Sequence, residues 1–360
     1  MQLRIPGPTP CPEEVLRAQS KQMINHRGKE FSVIIRKVTE QLKRCFQTKG
    51  DVLVLTGSGT GGLEAAVVNT LSPGDRVLCV SIGAFGDRFA DIAKAYGADV
   101  KKLPFDWGLP ADPDAVRQAL KEDAAIKAVI VTHNETSTGV TNDIKSIAAV
   151  AKEFDKLILV DGVSSVSSID LQVDAWQCDV VVTGSQKGWM TPPGLAMVSM
   201  SQKAWQAYDK SKMPKVYWDL GRARKIFDEK GQTPWTPAVS TLNALDVGLD
   251  LIEKEGLHNV FVRHARVARA ARDGAKSLGL TLFPKESHAS NTVTAINVPQ
   301  DVDGKKLLQE LREQHQVVLS GGQQKLEGKI FRIGHLGWVN ESDMAVVISA
   351  LKDALPRAKA

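Results

Sequence analysis

Leu157-Ile158-Leu159-Val160-Asp161 and, further along, Val181-Val182-Thr183-Gly184-Ser185-Gln186-Lys187-Gly188 are the stretches that decide how this chain folds. Each is a short β-branched apolar run that ends near a charged side chain, the pattern of a buried strand closing at a turn. In a parallel sheet the carboxyl ends of the strands open onto the ligand crevice, and Asp161 and Lys187 both fall there. A strand-end lysine is most often solvated or ion-paired. A lysine and an aspartate capping neighbouring strands also meet the needs of pyridoxal phosphate. The amine holds the cofactor aldehyde as a Schiff base, and the carboxylate keeps the pyridine nitrogen protonated so that the ring draws in electrons.

The surroundings favour such a sheet. Runs at Val52–Leu55, Arg76–Val80, Lys127–Thr132, Leu157–Val160, Asp179–Val182 and Leu195–Met200 read as strands. Between them, Gly62–Leu71, Ala84–Tyr96, Pro113–Lys121 and Ile144–Phe154 carry apolar residues at helical spacing. This alternation predicts an α/β fold, a mostly parallel sheet flanked by helices. After about residue 236 the pattern changes. Two helices broken at Gly256 precede a mixture of short strands and helices, which reads as a smaller C-terminal α+β domain. The first residues, with Pro6, Pro8, Pro10 and Pro12, read as an extended arm without regular structure at its start. The expected division is an arm over 1–20, a large cofactor-binding domain over 21–250 and a small domain over 251–360.

Composition narrows the function. A chain of 360 residues exceeds what one core usually supports, in line with two domains. No apolar stretch has the length of a membrane span and the N-terminus lacks a secretory design, so the expectation is a cytoplasmic protein without membrane contact. Cys11, Cys45, Cys79 and Cys178 are too scattered for a zinc or iron–sulfur site, and the histidines do not cluster, so no metal is assigned. The net charge of +5 is mild, and Arg263, Arg266, Arg269 and Arg272 step along one helix without interleaved aromatics. That is a wet helix face and gives no reason to expect nucleic acid. Small anionic substrates suit the same charge.

Val52-Leu53-Val54-Leu55-Thr56-Gly57-Ser58-Gly59-Thr60-Gly61-Gly62 is strand, glycine loop and helix. Gly57, Gly59 and Gly62 satisfy the dinucleotide fingerprint, yet the next strand ends Cys79-Val80-Ser81-Ile82 without the acidic residue that a ribose needs. An NAD-dependent dehydrogenase therefore rests on the loop alone. The physics that remains is a helix N-terminus aimed at an anion, with a tight turn lacking any ligand as the plain alternative.

Eight segments in order carry a resemblance. They are Pro6-Gly7-Pro8, Asn25-His26-Arg27-Gly28-Lys29-Glu30-Phe31, Gly57-Ser58-Gly59-Thr60 and Thr132-His133-Asn134-Glu135-Thr136-Ser137-Thr138-Gly139, then Val160-Asp161-Gly162-Val163-Ser164-Ser165, Gly184-Ser185-Gln186-Lys187, Thr236-Pro237 and Phe331-Arg332-Ile333-Gly334. The chain resembles the class V aminotransferases of fold type I, in particular the alanine–glyoxylate and serine–pyruvate group, nearly end to end. The resemblance implies that Lys187 binds pyridoxal phosphate covalently and Asp161 pairs with its ring nitrogen. It implies that Ser58, Gly59, Thr60 and Gln186 hold the phosphate, that Thr136 bonds on the ring side, and that Phe85 stacks where relatives often have Trp. Thr60 departs from relatives with His. Arg332 is implied as the partner of the substrate carboxylate, and its planar fork suits that group.

The resemblance further implies a homodimer with a shared active site. In it the partner's loop around Thr236 closes the phosphate site, through Thr233, Trp235 or Thr236. The implied reaction is a ping-pong transamination from a small amino acid, alanine or serine, to glyoxylate or pyruvate, with Lys187 moving the α-proton. A dicarboxylate donor such as aspartate would want a second cation, for which His26, Arg27 and His335 stand as candidates. Ureidoglycine and phosphonate donors stay open. Cysteine desulfurization is disfavoured because Cys178 is the last cysteine.

Overall fold

The computed structural model describes residues 1–359. Its centre is a seven-stranded sheet in the order Asp51–Thr56, Leu195–Met200, Val180–Gly184, Leu157–Asp161, Ile126–Thr132, Arg76–Ser81, Asp99–Pro104. Leu195–Met200 runs antiparallel to both neighbours, and the remaining pairs are parallel. The central strands are buried along their whole length, which is why they read as unbroken apolar runs and not as alternating ones. One core covers one face through Lys29–Phe46, Pro113–Glu122, Ile144–Glu153 and Val239–Glu255; another covers the other through Gly59–Thr70 and Ala84–Ala95.

Asp99–Pro104 is an edge strand absent from the sequence expectation. Its Lys101 and Lys102 point to its place, since charged residues keep an open edge from pairing with other chains. Lys29–Phe46 was likewise unassigned, although Phe31, Ile35, Val38 and Leu42 are buried at helical spacing.

A separate three-stranded antiparallel sheet orders Val293–Asn297, Ile330–Gly334, Ser320–Gly321. It shares a third core with Leu257–Ser277, Gly304–His315 and Glu341–Ala354. The boundary expected after residue 250 falls inside the helix Val239–Glu255, whose Leu245, Leu249 and Ile252 pack in the first core. That helix ends at Gly256, where φ is +84° and the next helix starts, and Val260 of the next helix still packs in the first core.

The N-terminal arm also differs from expectation. Gln2–Leu3 pairs in parallel with Val317–Val318, and Glu13–Gln19 is a helix packed on Val239–Glu255. Only the proline-bearing piece between them is irregular. That piece bridges the two sheets: the Arg4 carbonyl accepts from Gly334 N and the Gln186 carbonyl accepts from Thr9 N.

Candidate active site

Parallel pairing sets Asp161 opposite Thr132 on one neighbour and Val182 on the other, so Asp161 and the turn carrying Lys187 open at the same edge of the sheet. Asp161 is only 4% exposed. Its Oδ1 accepts from Val163 N at 2.9 Å, and its Oδ2 accepts from the Thr132 hydroxyl at 3.4 Å. Burial pushes its pKa up to about 6, against the pull of Val163 N–H and the positive charge of Lys187. Burial also pulls Lys187 down to about 8, opposed by the attraction of Asp161. The two groups sense each other's charge at this edge of the sheet.

The Lys187 amine donates to the Pro6 carbonyl at 2.6 Å. A Cβ at Gly7 would stand 2.6 Å from that amine and push the lysine side chain aside, and φ at Gly7 is +132°, which favours glycine independently. The Thr9 hydroxyl donates to the Lys187 carbonyl. The arm thus brackets the lysine.

Arg332 lies on the central strand of the small sheet and is 5% exposed. Its Nε donates to the Gly321 carbonyl and its Nη1 to the Thr136 carbonyl, both at 2.9 Å. Burial lowers its pKa to about 10, offset by the nearby Glu135 charge, so it stays protonated at neutral pH. The bonds found use Nε and Nη1, and Nη2 makes none among the described residues. Thr136 is buried and meets Arg332 through its backbone. Phe85 occupies the first turn of Ala84–Ala95, with the Arg88 guanidinium 4.7 Å from its ring centroid.

At the glycine loop, Ser58 caps the helix Gly59–Thr70, its side chain accepting from Gly61 N at 3.4 Å. The glycines answer to packing. A Cβ would meet the Trp218 ring at Gly57 and Gly61, Val163 at Gly59 and Val182 at Gly62, each within 3.0 Å. The fingerprint spacing therefore reflects close approach of side chains to the loop, with no need of a dinucleotide. Gly59 N and the Gln186 amide converge on Gly184, where an added Cβ would lie 2.9 Å from Gln186 Oε1 and 3.3 Å from Gly59 N. Gln186 Oε1 is buried without a hydrogen-bond partner. A buried amide facing a helix N-terminus suits a phosphate, because rotating the amide turns its NH2 toward an anion that the helix dipole also attracts. The donor set thus fits pyridoxal phosphate: anion donors at one end, an amine and a carboxylate at the other.

Thr236 is exposed, and its loop is held elsewhere. The Thr233 and Pro234 carbonyls accept from Arg27, and the Trp235 indole donates to the Tyr217 carbonyl at 3.1 Å. Within one chain the loop has no bond to Lys187, Gln186 or Ser58 among the described residues. The second-cation candidates change. His335 is fully buried, hydrogen-bonded to Thr294, and pushed down to about 3 by burial, so it is neutral and cannot serve. Arg27 is committed to loop carbonyls. Arg88, absent from the sequence expectation, is the cation whose charge reaches both Asp161 and Lys187. Its only sequence signal is that it lies three positions, nearly one helical turn, after Phe85. Glu135 lies in the Thr132–Gly139 segment, whose sequence alone gives it no partner. Its carboxylate binds the helix bearing Phe85, a long-range contact that sequence does not reveal.

Residues 3–334 match the family model described as "Aminotransferase class-V". The chain belongs to the class V aminotransferase family. This class V aminotransferase is 46% identical over 358 residues to a protein named soluble hydrogenase 42 kDa subunit, from Anabaena cylindrica, covering 99% of the chain and 93% of that protein. It is 39% identical over 345 residues to serine–glyoxylate aminotransferase from Arabidopsis thaliana, covering 94% and 86%. It matches the crystal structure of alanine–glyoxylate aminotransferase from Nostoc sp. with a TM-score of 0.95 at 30% identity, covering 98% and 94%. Among the described residues, no three His, Cys, Asp or Glu gather into a group that could hold a metal ion. No helix among them is long and apolar enough to cross a membrane.

Proposed function

We propose that this aminotransferase uses pyridoxal phosphate to move an amino group from a small amino acid, alanine or serine, to glyoxylate or pyruvate in a ping-pong cycle. The observation that carries the reading is that Lys187 and Asp161 open at one edge of the sheet within reach of each other's charge, with the amine's pKa lowered to about 8 and an anion-ready helix end nearby. When bound, the cofactor supplies an electron sink that stabilises negative charge at the substrate α-carbon.

The chain's own residues do the rest. Ser58, Gly59, Thr60 and Gln186 hold the phosphate end. Phe85 supplies an apolar face against the ring, and Thr136 lines its edge. Asp161 fixes a proton on the ring nitrogen as an ion-pair partner. Arg332 holds the substrate α-carboxylate through the part of its fork that the backbone leaves unused. Lys187, neutral in a growing fraction as pH approaches 8, would take the substrate's α-proton and hold it for return once the ring has drawn off the negative charge. A second copy of the chain closes the phosphate end with its loop around Thr236, in a homodimer. The large unit and the smaller C-terminal unit meet at this cleft, with the arm passing between them. Cytoplasmic residence is part of the proposal.

The loss of His335 as a cation supports the monocarboxylate preference. A dicarboxylate donor is the second reading, and Arg88 favours it. Turnover with alanine, serine and aspartate against glyoxylate decides between them. The first reading expects aspartate to be the poorest donor, and Arg88→Leu to change none of the three by more than about threefold. A clear aspartate preference that Arg88→Leu abolishes would establish the second. In either case Lys187→Ala is expected to abolish turnover.

A further inference from the structure

Glu135 is fully buried, and the chemistry above leaves it without a task. Four donors converge on its carboxylate. Oε2 accepts from Phe85 N at 3.1 Å and Gly86 N at 3.0 Å, and Oε1 accepts from Ser137 N at 3.1 Å and Ser137 Oγ at 2.5 Å. Ser137 Oγ in turn accepts from Ala84 N at 2.9 Å. The helix Ala84–Ala95 has no side-chain cap of its own, because its N-cap residue is Gly83. The reason is spatial: a Cβ on Gly83 would stand 2.4 Å from Glu135 Cγ. A carboxylate from another part of the chain therefore caps this helix, where its charge meets the positive end of the dipole.

The same three residues reach the other wall of the pocket. The carbonyl of Thr136, between Glu135 and Ser137, accepts from Arg332 Nη1. The turn is braced against the strand that carries Arg332's neighbour. Gly139 N donates to the Glu135 carbonyl at 2.9 Å, and a Cβ at Gly139 would lie 3.0 Å from the Cβ of Ala295, which pairs with Arg332 in the small sheet.

We infer that Glu135 is a positioning residue: its carboxylate locks the ring-facing Phe85 and the carboxylate-binding Arg332 into one rigid unit, so that cofactor geometry and substrate affinity are set together. The inference rests on the proposed function. Only an acceptor serves here. An ionised carboxylate offers nothing but lone pairs, whereas a glutamine would aim an NH2 group at converging N–H donors. Burial pushes the Glu135 pKa up, while Ser137 and the N–H groups at the helix end pull it down.

The test is Glu135→Gln in the full-length protein, with Ser137→Ala as the milder partner. The readouts are the dissociation constant of pyridoxal phosphate, visible circular dichroism of the bound cofactor, KM and kcat for the amino donor, and the melting temperature of the cofactor-free protein. Glu135→Gln should raise both the cofactor constant and KM about tenfold, the factor that a mispaired buried N–H implies. It should weaken the visible dichroism and change kcat less than KM. Ser137→Ala should move the same quantities the same way by about two- to threefold, and it carries the test alone if Glu135→Gln does not fold.

Variants whose cofactor constant, dichroism and KM stay within twofold of wild type, with only the melting temperature lowered, would reduce Glu135 to a structural cap and overturn the inference. Wild-type protein that takes up no pyridoxal phosphate would remove the proposed function itself, and this inference with it.

Discussion

In the proposed site, the end assigned to the cofactor ring and the end assigned to its phosphate are built to different degrees of completeness within one chain. At the ring end, Asp161, Lys187, Glu135 and Arg332 come from four separate segments, and each has protein partners at hydrogen-bond distance. At the phosphate end, Gln186 Oε1 is buried and unpartnered, Ser58 is exposed, and the Thr236 loop leans on Arg27 and Tyr217. Charge explains the contrast. Burying ionised groups costs several kcal/mol unless they are paired, so the groups that must sit deep have fixed partners. A phosphate brings its own charge and acceptors, so the site meant for it needs only donors and a helix end.

If that contrast is right, substitutions should hurt more at the ring end. Asp161→Asn should lower kcat by about two to three orders of magnitude, because a neutral amide cannot hold a proton on the ring nitrogen. The same change should stabilise the cofactor-free protein. With its pKa raised from 3.8 to about 6, folded Asp161 binds a proton that the unfolded chain releases between those values, so stability falls as pH rises through that window. Asparagine removes a cost on the order of 3 kcal/mol at neutral pH. Lower activity combined with lower stability would mean that Asp161 is structural and the contrast misplaced.

Lys187 sharpens the comparison through pH. Only the neutral amine attacks an aldehyde, so cofactor capture by cofactor-free protein should speed up as pH passes about 8 and level off above about 9. A rate still climbing beyond pH 10 would show an ordinary lysine. Linkage has the matching sign. Between about 8 and 10.5 the unfolded chain holds a proton that the folded one lacks, so this group's contribution to stability rises with pH there.

The smallest effect belongs to the phosphate end. Gln186→Ala should weaken pyridoxal phosphate by about three- to tenfold, the range of one hydrogen bond to a charged group, and leave kcat within about twofold. A collapse of kcat would show that the two ends are not separable.

Much of this arrangement was legible in the sequence because it follows from local pattern. The strands ending at Asp161 and before Lys187 are unbroken apolar runs, and their carboxyl ends meet for topological reasons alone. What escaped depends on distant partners. Trp218 explains Gly57 and Gly61, yet lies far along the chain from them. Glu135 caps a helix about fifty positions upstream. His335 looked like an available cation beside Arg332 until its neighbours closed over it. Lys29–Phe46 is a different case: Phe31, Ile35, Val38 and Leu42 carry its helical spacing in the sequence itself.

The most direct test is chemical trapping. Protein purified with pyridoxal phosphate is reduced with borohydride, digested and mapped by mass spectrometry. The account predicts one phosphopyridoxyl group per chain, on the peptide containing Lys187, and none in Lys187→Ala. Label on a different lysine, or no stable label in protein that turns over amino acids, would contradict it.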